Sequence, residues 1–279
     1  MKSSVLIIDF GSQLTKLIAR RIRELGVFSE IVGFDKVNKN YFKKQIEGII
    51  LSGGPSSVDN KNSPSLPNFI YTLNIPILGI CYGLQLICKY YGGSIKSSED
   101  REFGKNFLKL KKKSILTDGV YTISNKYQVW MSHSDKVDKI PNNFESVART
   151  DHCESAIVQN LEKNFFGVQF HPEVVHTIGG EKIIENFIFK VCKCKQNWNM
   201  RIYKDKIIED IKKKVGNKHV ICGLSGGVDS TVTAVLIHRA IGDKLKCICV
   251  DTGLMRKNEV KQIKNLFKKK FNMYLEVVD

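Results

Sequence analysis

Three short stretches hold residue types at spacings that could do chemistry. In GICYG, residues 79–83, Cys81 stands between Gly79 and Gly83, directly after an apolar run and directly before a helical pattern. A strand–turn–helix elbow of this kind exposes a nucleophile at the top of a sheet, and the helix N-terminus beyond it favours a thiolate. In QFHPEVVH, His171 can act as general base to the thiol, while Glu173 accepts a hydrogen bond from the imidazole and holds its tautomer. LSGGP, residues 51–55, ends the preceding buried strand and would present Gly54 and nearby backbone N–H groups where an oxyanion could be held. Taken singly, Cys81 reads as a buried apolar filler and His171 as a turn residue beside Pro172; only together do they argue for acyl transfer.

A further stretch, GLSGGVDSTV at 223–232, looks like a phosphate loop without the lysine of a Walker motif. Its glycines follow a buried run and open a helix, so backbone N–H groups form an anion nest, to which Ser225, Ser230 and Thr231 add hydroxyls. Asp229 inside such a nest makes sense if magnesium accompanies the phosphates.

These residues need a scaffold of alternating strands and helices. SVLIIDF, GIILSGGP and IPILGICYG are apolar without alternation, the mark of parallel strands covered on both faces. LTKLIARRIRELG puts Leu14, Leu17, Ile18, Ile22 and Leu25 on one helical face, with Gly26 as C-cap, and LQLICKYYGG is a helix after the elbow. From about residue 104 the pattern predicts short strands and turns, closed by an amphipathic helix through Ile183, Ile184, Phe187, Ile188 and Val191. CKQNWNMRIYKD reads as a linker. A second cycle follows: helix KIIEDIKKKVG, strand KHVICGL, helix TVTAVLIHRAIG with Val232, Val235, Leu236 and Ala240 sharing a face, strand LKCICVDTG, helix EVKQIKNLFKKKF and strand MYLEVVD.

Composition narrows the class. The 279 residues are 42% hydrophobic, ample for two packed cores, and no run approaches the ~20 apolar residues of a membrane span or the form of a signal peptide. Eight cysteines without a secretion signal read as reduced thiols, and their spacings match no zinc site. A net charge of +16 raises nucleic acid as a partner, but it rests on 36 lysines against 8 arginines, and arginine is the residue that forks onto guanine and phosphate. Cytoplasmic residence, with no membrane and no nucleic-acid partner, is the expectation.

GGP, GICYGLQ and FHPE together resemble the triad-type, class I glutamine amidotransferases. That resemblance implies attack of Cys81 on the side-chain amide of glutamine, proton transfer by His171 oriented by Glu173, an oxyanion hole at Gly53, Gly54 and the Tyr82 amide, and glutamine recognition by Gln85, Ser132, His133 and Ser134. S-G-G-x-D-S resembles the pyrophosphatase loop of enzymes that split ATP between its α- and β-phosphates, and implies ATP contacts at Ser225, Gly226, Gly227, Val228, Asp229, Ser230 and Asp251, with Asp229 at magnesium. The two together, with DFGSQ, REFG, WMSHSDKV, GVQFHPEVVHT and VDTGLMR, resemble the family of glutamine-hydrolysing GMP synthetases over the whole chain.

The implied fold is α/β: a class I amidotransferase with a flavodoxin-like mixed sheet over 1–197, then an incomplete adenine-nucleotide α-hydrolase-like parallel sheet over 198–279. The implied substrates are glutamine, Mg-ATP and xanthosine monophosphate, with no prosthetic group. Members of that family continue with the rest of the synthetase sheet and a dimerisation domain. The expectation for this chain is therefore a truncated second domain, glutaminase chemistry retained and GMP formation lost. A stand-alone glutaminase and a non-catalytic nucleotide-binding protein are the rival readings; a tRNA-thiolating role would use the charge but leaves the first domain unexplained.

Overall fold

The computed structural model describes residues 5–43 and 45–279, the side chains of 98–101 and 202 excepted. Residues 1–4 and the side chain of Arg101 in REFG thus lie outside the described residues. The chain divides into two units, Met1–Trp198 and Asn199–Asp279.

In the first unit, β1 (Val5–Asp9) buries every residue from Val5 to Ile8 completely, as a strand sandwiched between layers must. Helix α1 (Thr15–Glu24) turns Thr15, Ile18, Ala19 and Ile22 inward, an i, i+3, i+4, i+7 stripe, and Gly26 takes the left-handed conformation (φ 76°) that ends it. Leu14, Leu17 and Leu25 lie only half-buried at the margins of that stripe. Strands β2 (Ser29–Gly33), β3 (Gly48–Leu51) and β4 (Ile77–Ile80) follow, then α2 (Tyr82–Tyr90).

The chain then departs from the expected short strands. β5 (Ser94–Leu110) and β6 (Lys126–Lys139) form one long antiparallel hairpin. Its length was hidden because β5 carries polar and charged residues throughout, and its register shifts between Ser97 and Glu102. After β7 (Glu145–Arg149), β8 (Ile157–Asn160) and β9 (Phe165–Val168), α3 (Gly180–Asn186) continues as a π turn through Val191 and buries Ile183, Ile184, Phe187 and Ile188.

Among the described residues these nine strands form one mixed sheet, ordered β2-β1-β3-β4-β9-β8-β7-β5-β6. The first five run parallel and the remaining pairings are antiparallel. An apolar core packs on each face. The pairing that matters for chemistry is β4 with β9: Ile80 sits opposite Val168, and the Cys81 N–H donates to the Val168 carbonyl at 2.8 Å. A strand ending at Cys81 and a strand leading to His171 are thus parallel neighbours, and both residues emerge at the carboxyl edge of the sheet.

The second unit begins with α4 (Met200–Val215), so the latter half of the expected linker is helix. β10 (Val220–Gly223), α5 (Val228–Ile241), β11 (Leu245–Val250), α6 (Glu259–Leu266) and β12 (Leu275–Val278) complete it, with the three strands parallel in chain order. β11 alternates, burying Leu245, Cys247 and Cys249 while Lys246 and Val250 are exposed. The buried face of α5 centres on Ala234 instead of the expected Val232, which is 51% exposed. Among the described residues no helix is long and apolar enough to cross a membrane.

Helix α2 seats directly on β3. A Cβ added to Gly83 would stand 2.5 Å from both the Leu51 Cβ and the Leu51 carbonyl oxygen. Gly83→Ala is therefore expected to destabilise the first unit by roughly 1–3 kcal/mol or more through overpacking against backbone, read as a lower thermal midpoint by circular dichroism; a midpoint unchanged from the parent would show that α2 can move away freely.

Candidate active site

Cys81 caps α2 in a conformation few non-glycine residues adopt, φ 49° and ψ −104°. Such backbone costs of order 1–3 kcal/mol and persists only where its surroundings enforce it. The flanking glycines do not supply the turn themselves: a Cβ on Gly79 would meet the Gly83 carbonyl carbon and the Leu84 nitrogen at 2.5 Å. Their role is to let helix and strand close on the elbow, and the strained residue is the cysteine.

Gly53 explains the other pair of glycines. A Cβ there would lie 3.2 Å from His171 Cε1 and 3.8 Å from Cys81 Cβ, so the LSGGP loop runs directly over the thiol and the imidazole. His171 is anchored on every side. Its N–H donates to the Trp130 carbonyl at 3.0 Å, its carbonyl accepts from Thr177 Oγ1 at 2.6 Å, and Nδ1 lies 2.8 Å from Glu173 Oε1. Glu173 is itself fully buried, and Arg21 Nε of α1 donates to its carbonyl at 3.2 Å.

Burial alone pushes the His171 imidazole toward its neutral form. Hydrogen bonding to Cys81 and Glu173, together with their charges, outweighs burial and raises its pKa to about 10. An imidazolium beside the thiol is the partner a thiolate needs, and a proton held there is available to a leaving amine.

Gly54, Tyr82, Gln85, Ser132, His133 and Ser134 line one cleft of about 490 Å³ with Cys81 and His171. Among the described residues neither the Gly54 nor the Tyr82 N–H donates to a protein acceptor, which leaves both for an oxyanion at the thiol. Gln85 Nε2 is engaged by the Asp135 carbonyl at 2.7 Å.

Two polar neighbours of the candidate site escape a reading of the sequence. Gln169, fully buried, places Nε2 3.5 Å from Cys81 Sγ. Glu102 on β5 is the register partner of His133 on β6, with Oε2 3.3 Å from Nε2 and both side chains almost fully buried. That contact is within ion-pair distance but off hydrogen-bond alignment, and neither ring nitrogen of His133 has an aligned partner among the described residues. Burial raises the Glu102 pKa, but His133 and Thr150, whose Oγ1 donates to Oε1 at 2.9 Å, bring it below the ordinary carboxylate value. The period-2 spacing of Gln169 and His171 could have pointed to the first; nothing local in REFG marks the second.

In the second unit the loop closes on itself. The hydroxyls of Ser230 and Thr231 donate to the Gly227 carbonyl at 3.1 and 2.8 Å, Ser225 Oγ lies 3.2 Å from Ser230 Oγ, and Gly226 takes a left-handed φ of 79° against Ile263. Val228 and Asp229 are exposed at the start of α5. Asp251 follows β11, accepts from the Gly253 N–H at 3.0 Å, and lines a separate cleft of about 560 Å³ with Arg256, Lys257, Lys261 and Lys264. None of residues 225–230 lines that cleft. Among the described residues no group of three or more His, Cys, Asp or Glu could hold a metal. A magnesium ion at Asp229 would take its other oxygens from phosphates and water, as magnesium usually does in nucleotide sites.

Comparison with known proteins follows the same division. The family model described as glutamine amidotransferase class-I matches residues 6–191, and that described as NAD synthase matches 201–279. GMP synthase [glutamine-hydrolyzing] of Rhizobium etli is 47% identical over 276 residues, 99% of this chain and 53% of its own length. The protein of that name from Bartonella bacilliformis is 48% identical, over 98% of this chain and 52% of its own. The chain thus spans about half the length of these curated relatives. A crystal structure of a GMP-synthase-subunit-A-like protein from Thermoplasma acidophilum superposes with a TM-score of 0.62 at 30% identity, covering 69% of this chain and 95% of that one. A glutamine amidotransferase structure from Methylobacillus flagellatus, 18% identical over 62% of this chain and 72% of its own, shares the fold with a TM-score of 0.51.

The charge balance around His171 has a direct consequence. At pH 8, where a free imidazole is neutral, the His171 ring is expected to keep its proton, and Glu173→Gln is expected to move its titration to lower pH, both visible in ring ¹⁵N chemical shifts. A His171 that titrates like a free imidazole in the parent, or whose titration is untouched by the substitution, would refute the electrostatic account.

Proposed function

The chain belongs to the class-I glutamine amidotransferase family, matched over residues 6–191, and from that premise we propose that it hydrolyses glutamine at Cys81 as the amidotransferase half of a glutamine-hydrolysing GMP synthetase, followed by the start of its synthetase half. The observation that carries the reading is the β4–β9 pairing, which puts the strained Cys81 beside an imidazole whose proton Glu173 retains.

In this reading the Cys81 thiolate attacks the γ-amide carbon of glutamine, and the Gly54 and Tyr82 N–H groups receive the developing oxyanion. His171 gives its proton to the leaving nitrogen as the C–N bond breaks, releasing ammonia and leaving a γ-glutamyl thioester. Water, deprotonated by the now neutral His171, hydrolyses the thioester to glutamate. Gln85, Ser132, His133 and Ser134 hold the substrate in the cleft.

The second unit supports the remaining chemistry. Its loop of Ser225, Gly226, Gly227, Val228, Asp229 and Ser230 would cradle the pyrophosphate of ATP, with Asp251 on the same edge, while the 2-carbonyl oxygen of xanthosine monophosphate takes the adenylyl group. Ammonia then displaces AMP to give GMP. Magnesium bound with the phosphates would neutralise their charge beside Asp229. All eight cysteines are free thiols; a cytoplasmic compartment is the one this reading implies, and a homodimer is the assembly of the full-length family.

Cys81→Ala is expected to lower glutamine-dependent ammonia release by about 10³-fold or more while leaving Mg-ATP binding as in the parent. Asp229→Asn should do the reverse, weakening Mg-ATP binding about tenfold with glutaminase turnover intact. Parent-level glutaminase activity in Cys81→Ala would sink the nucleophile assignment. ATP affinity unchanged by Asp229→Asn, with and without magnesium, would leave that residue only as a negative charge in the first turn of α5, whose N-cap is Gly227.

A further inference from the structure

We propose that Gln169 is a second hydrogen-bond donor to the nucleophilic sulfur, working with His171 to hold Cys81 as thiolate and to aim it into the cleft. The inference rests on the assignment of Cys81 as nucleophile. Gln169 is the residue that β4–β9 pairing sets beside Cys81, one step past Ile80 and Val168. Its side chain is fully buried, and Nε2 approaches Sγ at 3.5 Å, within hydrogen-bond range for sulfur. Its Oε1 has no partner among the described residues. A buried amide with an unpaired oxygen is costly, which argues that its N–H···S contact is retained for something other than stability.

The polar atoms around Sγ divide by sign. Gln169 Nε2 and the His171 ring present donors; the Ser132 carbonyl, 3.9 Å away, presents an acceptor that only a protonated thiol can use. Two donors against one distant acceptor favour the anion. An amide donor also differs from His171 in a useful way, because it keeps its proton throughout the cycle. When His171 surrenders its proton to the leaving nitrogen, Gln169 still fixes the sulfur, and it is in place to receive the thiolate when the thioester is hydrolysed. The other titratable groups facing this sulfur are Glu173 behind His171, His133 and Asp135 on β6 across the cleft, and Cys153 between β7 and β8, which feels the charges of both Cys81 and Glu102. Gln169 is the uncharged member of that set, so its removal changes the hydrogen bonding without changing the net charge.

The test is the pH profile of Cys81 alkylation by iodoacetamide, followed by mass spectrometry of the Cys81 peptide in the full chain, for the parent, Gln169→Met and Gln169→Glu. Methionine fills similar space without an N–H donor. In Gln169→Met the profile is expected to move about one unit to higher pH with the same plateau, so that alkylation slows about tenfold at pH values well below the parent's midpoint. Glutaminase kcat at those pH values should fall in parallel and KM for glutamine stay within about twofold. Gln169→Glu, which replaces the donor by an anion, should displace the profile further. If Gln169→Met does not fold, Gln169→Glu, nearly isosteric, reads the same displacement. Profiles coincident with the parent in the folded variant would overturn the proposal. Failure of the underlying assignment looks different: the parent itself would alkylate no faster than an ordinary free thiol and show no glutaminase turnover.

Discussion

Glu173, fully buried 2.8 Å behind His171, joins the Cys81 sulfur in keeping a proton on an imidazole that burial would otherwise strip. Burying a charge is expensive unless it is paired, and here the pairing is serial: carboxylate, imidazolium, sulfur. Much of the nearby architecture serves that series. Thr177 and Trp130 fix the His171 backbone, and Arg21 reaches from α1 to the Glu173 carbonyl. The contrast with other cysteines is instructive. Cys88 and Cys153 are fully buried, and burial pushes their thiols up to about 12, where they are inert. Cys81 instead opens onto the cleft, with Gln169 Nε2 within hydrogen-bond range of its sulfur.

Backbone geometry does the rest. The positive φ of Cys81 is stable because α2 is clamped to β3 and β4 through Gly79 and Gly83, where no side chain fits. The same close approach carries the LSGGP loop over the thiol, bringing the Gly54 N–H to the cleft. Strain at the nucleophile and the glycines that tolerate nothing larger are one device: the sheet supplies the rigidity, and the elbow spends it.

The readable part of this protein was local. Continuous apolar runs mark the parallel strands, because a strand covered on both faces cannot alternate, and type and spacing single out Cys81, His171, Glu173 and the 225–230 loop as candidates. What depended on register was silent. The pairing of Glu102 with His133 and of Gln169 with Cys81 arises between strands far apart in sequence; only the period-2 spacing of Gln169 and His171 hints at the second, and nothing local marks the first. The charges and the bulge of β5 mask an extended strand, and the apolar but exposed Val232 disguises the buried face of α5. The assignment to GMP synthesis came from motif resemblance instead of from periodicity, and about half the length of the matching relatives lies outside this chain.

The central claim is that glutamine chemistry runs through Cys81 and depends on the proton held at His171. Its most direct test is incubation of the chain with the glutamine analogue 6-diazo-5-oxo-norleucine, which must be protonated to lose nitrogen and alkylate a thiolate, followed by intact and peptide mass spectrometry. The account predicts a single adduct, located on Cys81, blocked by excess glutamine and strongly slowed in His171→Asn. An adduct distributed over other cysteines, or one that forms on Cys81 equally fast without His171, would contradict it.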